Sequence, residues 1–178
     1  MNNIESINKI STKWIEHLAL EEINMDESGI IHMDDHLNPG AMLEEASIEF
    51  MDAVRDRFEF YINKFNQYRG GSNAGAIIKT FKISNTVNDF MMFRNSLRMI
   101  FARRSHDVIS IGFLSNGKDL FAPRLSDSDT YGQQVGAHEI RANVGPFNKI
   151  TWRFQGEIVE VDSLVRHYLS EFIRQSAR

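Results

Sequence analysis

Apolar residues fall at spacings of three and four in the first part of the chain and largely at spacings of two in the last, so the pattern predicts helices first and strands later. Ile7, Ile10, Trp14 and Leu18 set out one face of an amphipathic helix over about residues 4–20. Two short β-capable runs then flank Asp26-Glu27-Ser28-Gly29, which reads as the tight turn of a small hairpin. Asn38-Pro39-Gly40 marks a helix start, with Asn38 as the cap and Pro39 at the first helical position, where its missing N–H has no partner to lose. From Leu43 the apolar stripe runs through Ala46, Phe50, Val54, Phe58, Tyr61, Phe65 and Tyr68 until Gly70-Gly71 stops it. That helix spans about 28 residues, or ~42 Å at ~1.5 Å per residue, longer than one small sheet is wide.

GGSNAG, residues 70–75, is the linker-like stretch, and AIIKTFKIS after it predicts a strand. Residues 88–104 carry a helical stripe, and VISIGFL reads as a buried strand because both of its alternating faces are apolar. LFAPRL predicts a short edge strand, since Pro123 cannot donate to a ladder, and residues 126–136 form a polar loop. HEIRANV and KITWRF are two clear strands joined through Gly145-Pro146-Phe147, and EIVEV is a third run. VDSLVRHYLSEFI closes the chain as a helix with Leu164, Tyr168 and Phe172 inward and Asp162 placed to cap it. The expected class is α+β. A mostly antiparallel sheet of about five strands, with a helix after the first strand and another at the C-terminus, follows an N-terminal helix, a short hairpin and a long helix. The expected division is an acidic helical region over residues 1–69, the linker 70–75 and an α+β domain over residues 76–178.

FRNSLRMIFARRSHD, residues 93–107, concentrates four arginines in an otherwise acidic protein. On a helix, Phe90, Phe93, Leu97, Ile100 and Phe101 would gather on one side, with Arg94 and Arg98 beside them and Arg103 and Arg104 at the C-terminal end, where the macrodipole favours cations. Met92 and Met99 would then lie on the opposite side, an apolar patch suited to a partner. The expectation for Arg94 and Arg98 is pairing with the acids of residues 44–59, because the planar fork of arginine suits carboxylates as well as phosphates. In the hairpin of HEIRANV and KITWRF, aligning the apolar faces pairs Val144 with Ile150, Ala142 with Trp152 and Ile140 with Phe154. The same register sets Arg141 opposite Arg153 on the other face, a repulsion that needs nearby Glu139 and Glu157 or a bound anion to offset it.

The net charge of −4 hides an asymmetry: residues 1–60 hold 14 acids and 4 bases, net −10, and residues 61–178 hold 10 acids and 16 bases, net +6. The basic part invites an anionic partner, and the acidic part limits nonspecific attraction. There are no cysteines, so disulfides and thiolate sites are excluded. No apolar run approaches the ~18 residues of a membrane span, no secretory leader is evident, and the cytoplasm is the expected location. GGSNAG leads into a strand where a phosphate loop would open into a helix, and the histidines of HMDDH are too far apart on a strand to share a metal. Ser105-His106-Asp107 holds the residue types of a triad, but adjacent side chains diverge. The sequence therefore implies no metal site, no cofactor and no catalytic constellation.

What it favours is a non-enzymatic binding or adaptor protein that acts through protein contacts and self-associates, with Met92, Met99, Phe58, Phe65 and Tyr68 as the interface candidates. A second expectation is a nucleic-acid-binding regulator using Arg103, Arg104, Arg141, Arg153 and Lys149, which requires those side chains to converge on one exposed surface. In outline, a small acidic protein that begins helix, hairpin, long helix looks like the class I type III secretion chaperones over its first seventy or so residues; that resemblance implies a protein partner.

Overall fold

Gly29, at φ 67°, decides how the first helix ends. The computed structural model describes residues 12–30, 38–70, 74–115, 118–119 and 138–177, and in it helix α1 runs Lys13–Ser28. The Gly29 N–H donates to the carbonyl of Met25 at 2.9 Å, a left-handed cap that glycine adopts without a Cβ penalty. The turn signal Asp26-Glu27-Ser28-Gly29 is thus a helix terminus and not a hairpin, and Ile23–Ser28, expected as strand and turn, is helical. His32 and His36 lie outside the described residues, as do LFAPRL and residues 126–136.

The chain divides into two compact units, residues 1–42 and 43–178. Helix α2, Pro39–Arg69, begins in the first unit at the expected Asn38, whose Oδ1 accepts the Gly40 N–H at 2.9 Å. Within the second unit α2 buries Met51, Val54, Phe58 and Ile62, one residue per turn or so along a single stripe.

The sheet is antiparallel throughout. Its strands are β1 (Lys79–Lys82), β2 (Phe90–Arg94), β3 (Leu97–Ser105), β4 (Val108–Ser115), β5 (Lys118–Asp119), β6 (Glu139–Val144), β7 (Ile150–Phe154) and β8 (Glu157–Ile158). They follow the order β1-β2-β3-β4-β6-β7-β8, with β5 pairing to β4 off that path. The β6–β7 register is the expected one, with Arg141 opposite Arg153, Ala142 opposite Trp152, Asn143 opposite Thr151 and Val144 opposite Ile150. Helix α3, Val161–Ser176, closes the described chain and buries Leu164, Val165, Leu169 and Phe172. Its N-cap is Glu160, so Asp162 does not cap it; the Asp162 carboxylate instead pairs with Arg57 of α2 at 3.1 Å.

The helix expected over residues 88–104 is a β-hairpin. Arg94 pairs with Leu97 across the two-residue turn Asn95-Ser96, and Asn95 takes φ 54°, the positive value that lets a tight hairpin turn match strand twist. The run is apolar at both periods: Phe90, Met92, Leu97, Met99 and Phe101 alternate onto one face and are all buried. Met92 and Met99 therefore stand directly opposite each other inside the core, not on the solvent side of a helix. One core joins α2, this sheet face and α3, with Phe58, Phe90 and Phe101 in mutual ring contact at 5.0–6.1 Å. Among the described residues, no helix is long and apolar enough to cross a membrane.

Candidate nucleic-acid interface on the open sheet face

Alternation sends every second strand residue away from α2 and α3, and pairing aligns those residues in rows across the sheet. One row is Lys79, Phe93, Arg98 and Leu114; the next is Phe81, Met91, Ile100 and Gly112. A row further on joins Val108, Arg141, Arg153 and Ile158, and Ser110 with Glu139 lies between. Arg104 reaches this face as well, donating from Nε to the Ser110 hydroxyl at 3.0 Å. Five cationic side chains, Lys79, Arg98, Arg104, Arg141 and Arg153, thus share one face with Glu139 and, at its border, Asp89, whose carboxylate accepts the Arg103 N–H. At ~4.8 Å per strand, the distance from β1 to β7 is about 24 Å.

Aromatic rings stand among these cations. Phe81 is 45% exposed, Phe93 is half-buried, and the two are diagonal neighbours on β1 and β2. The Arg98 guanidinium lies 5.9 Å from the Phe93 ring centroid, a cation–π arrangement. The opposition of Arg141 and Arg153 is relieved locally: Arg141 is ion-paired with Glu139, and Arg153 donates from Nη1 to the Gly156 carbonyl at 2.9 Å. Arg153 Nε is buried without a hydrogen-bond partner, a donor left over on this face. Among the described residues Lys79, Arg98 and Arg104 form no ion pair.

Not every expected residue joins them. Arg103 alternates to the helix side, where it meets the Ser47 hydroxyl at 3.0 Å and Glu44 at 3.8 Å. Pairing with the acids of residues 44–59 thus falls to Arg103 and not to Arg94 or Arg98. Lys149 is exposed just before β7, and its N–H closes the turn on Pro146. Phe58, Met92 and Met99 are wholly buried, which removes them from any exposed patch; Phe65 packs at the edge of the core, and Tyr68 is 91% exposed near the end of α2. Arg98, Lys79, Phe81 and Phe93 enter the face only through the β1–β2–β3 register, which a helix over residues 88–104 conceals.

Arg94 has a different role. Its side chain is buried, forms no ion pair among the described residues, and donates to the carbonyls of Ala76 at 3.0 Å and Ile173 at 3.3 Å and to the Ser176 hydroxyl at 3.3 Å. The Phe65 ring lies 5.2 Å away, and Asn95 Nδ2 donates to the Ser176 carbonyl. Burial, and then the charge of Arg69, lowers the Arg94 pKa from its ordinary value. The guanidinium fastens the negative end of the α3 dipole to β2 and α2. No protein family, curated protein or solved structure matches the chain.

Proposed function

We propose that this chain is a nucleic-acid-binding protein whose open sheet face takes a single strand. The observation that carries the proposal is the grouping of Lys79, Arg98, Arg104 and Arg153 with Phe81 and Phe93 on one face. Phosphates supply the attraction, and the exposed Phe81 and half-buried Phe93 rings offer bases a stacking surface; a sheet bearing aromatics on neighbouring strands is a common way to hold splayed bases. An acidic chain with a local cationic face binds where the face is and is repelled elsewhere. The test exploits two adjacent arginines on opposite faces. By fluorescence anisotropy of a labelled single strand, Arg98→Ala with Arg104→Ala weakens binding, whereas Arg103→Ala does not. Equal loss from Arg103→Ala, or no binding by the unaltered chain, overturns the proposal.

A second proposal is self-association through the apolar half of the same face, favoured by the half-buried Met91, Ile100 and Leu114 beside Phe81. Sedimentation of the intact chain tests it: a dimer that Ile100→Lys dissociates supports a protein interface there, and a monomer at all concentrations removes it.

A further inference from the structure

On the other side of the sheet a groove of about 1210 Å³ runs beside α3, from Glu157–Glu160 at its start to Gln175 near its end. Among the residues of α3 and its N-cap that line it, Glu160, Ser163, Leu164, His167, Glu171 and Gln175 recur at spacings of three and four, along one side of the helix. From Glu160 to Gln175 that side is ~22 Å long, which holds about 7 residues of an extended chain.

Chemistry narrows the occupant further. The apolar wall of the groove is formed by half-buried Phe154, Val159 and Tyr168, over the buried core residues Leu97, Phe113 and Ile140. Its rim carries Glu157, Glu160 and Glu171 against Arg174, which already pairs with Glu171 at 3.4 Å. Fatty carboxylates and phosphates are disfavoured at such a rim, and basic side chains are favoured. The groove also borders β8, the terminal strand of the sheet. The Val159 N–H donates to the Trp152 carbonyl, so by antiparallel alternation Ile158 turns its own N–H and C=O away from β7, to an edge that pairs with no further strand among the described residues. Main-chain pairing at such an edge, with side chains set alternately into an adjoining groove, is how sheets capture peptides.

We propose that this groove takes an extended protein segment in which apolar side chains alternate with lysine or arginine. The site lies on the face opposite the cationic one, so the chain couples a basic protein segment to whatever its open face holds.

The experiment uses the full chain and two fluorescein-labelled peptides, one alternating valine with lysine and one alternating valine with glutamate. The lysine peptide binds, and the glutamate peptide binds at least about tenfold more weakly. Ser163→Trp, an uncharged substitution at an exposed groove-lining position, weakens the lysine peptide by about tenfold or more, and His167→Trp serves if the first perturbs the start of α3. Both leave single-strand binding by the opposite face unchanged. Lysine-peptide binding that survives both tryptophans is surface attraction alone and overturns the proposal, as does no binding or equal binding of the two peptides.

Discussion

Replacing Arg94 by methionine keeps most of the side-chain volume and removes the charge and every donor. Arg94 is 5% exposed, and its three hydrogen bonds reach two acceptors in buried residues, Ala76 and Ser176, and one on the half-buried Ile173. Each buried acceptor left without a donor costs ~1–3 kcal/mol. Removing a desolvated cation that has no carboxylate partner among the described residues returns part of that. The balance is a loss of about 3 kcal/mol, which for a chain of this size lowers the melting temperature by roughly 6–12 °C. Arg94→Lys restores little, because an ammonium lacks the fork that spans three acceptors on separate elements. The control is Arg98→Met, four residues on and facing solvent, with an expected change within ~0.5 kcal/mol. Urea denaturation followed by far-ultraviolet circular dichroism measures both. Equal stability of the two variants would refute the claim that Arg94 clasps the end of α3.

Two further outcomes are expected. Alanine at both Phe81 and Phe93 weakens single-strand binding by about tenfold or more while leaving its salt dependence unchanged, since rings stack and do not displace counterions; an altered slope in an anisotropy salt titration would contradict this. Burial holds the Tyr168 phenol above its ordinary pKa of 10.0, so the folded chain keeps a proton that the unfolded chain gives up. The associated stability is whole below about pH 10 and is lost as pH rises past it. Tyr168→Phe therefore narrows the alkaline fall in unfolding free energy, and parallel pH profiles for variant and wild type would be the contrary result.

The long helix and the β6–β7 hairpin were legible because each carried independent signals that agreed. Asn38-Pro39 and Gly70 bracket a sustained helical stripe, and strict alternation around Gly145-Pro146 leaves one register that keeps the apolar residues together. Residues 90–105 misled because bulky apolar side chains satisfy the helical and the strand period at once, and Asn95-Ser96 lacks the glycine that usually announces a two-residue turn. Gly29 carried a real signal of ambiguous meaning, since glycine ends helices and makes turns by the same positive φ. The candidate face inherited the misreading. Arg141 and Arg153 were visible as a pair, yet Lys79, Phe81, Phe93 and Arg98 joined them only once β1, β2 and β3 were in register. Arg103 and Arg104, grouped in the sequence as one helix end, part to opposite faces because a strand alternates. The groove beside α3 arises from where α3 crosses the sheet, a tertiary relation that no local pattern carries.

The most direct measurement is a salt titration of single-strand binding. Four cations on the open face are free of ion pairs among the described residues: Lys79, Arg98, Arg104 and Arg153. With a slope of about −0.7 per phosphate contact, affinity should fall about 50-fold between roughly 50 and 200 mM salt, and only about 7-fold once Arg98 and Arg104 are alanine. Affinity that is indifferent to salt, or a slope unmoved by that double substitution, would contradict a phosphate-holding sheet face.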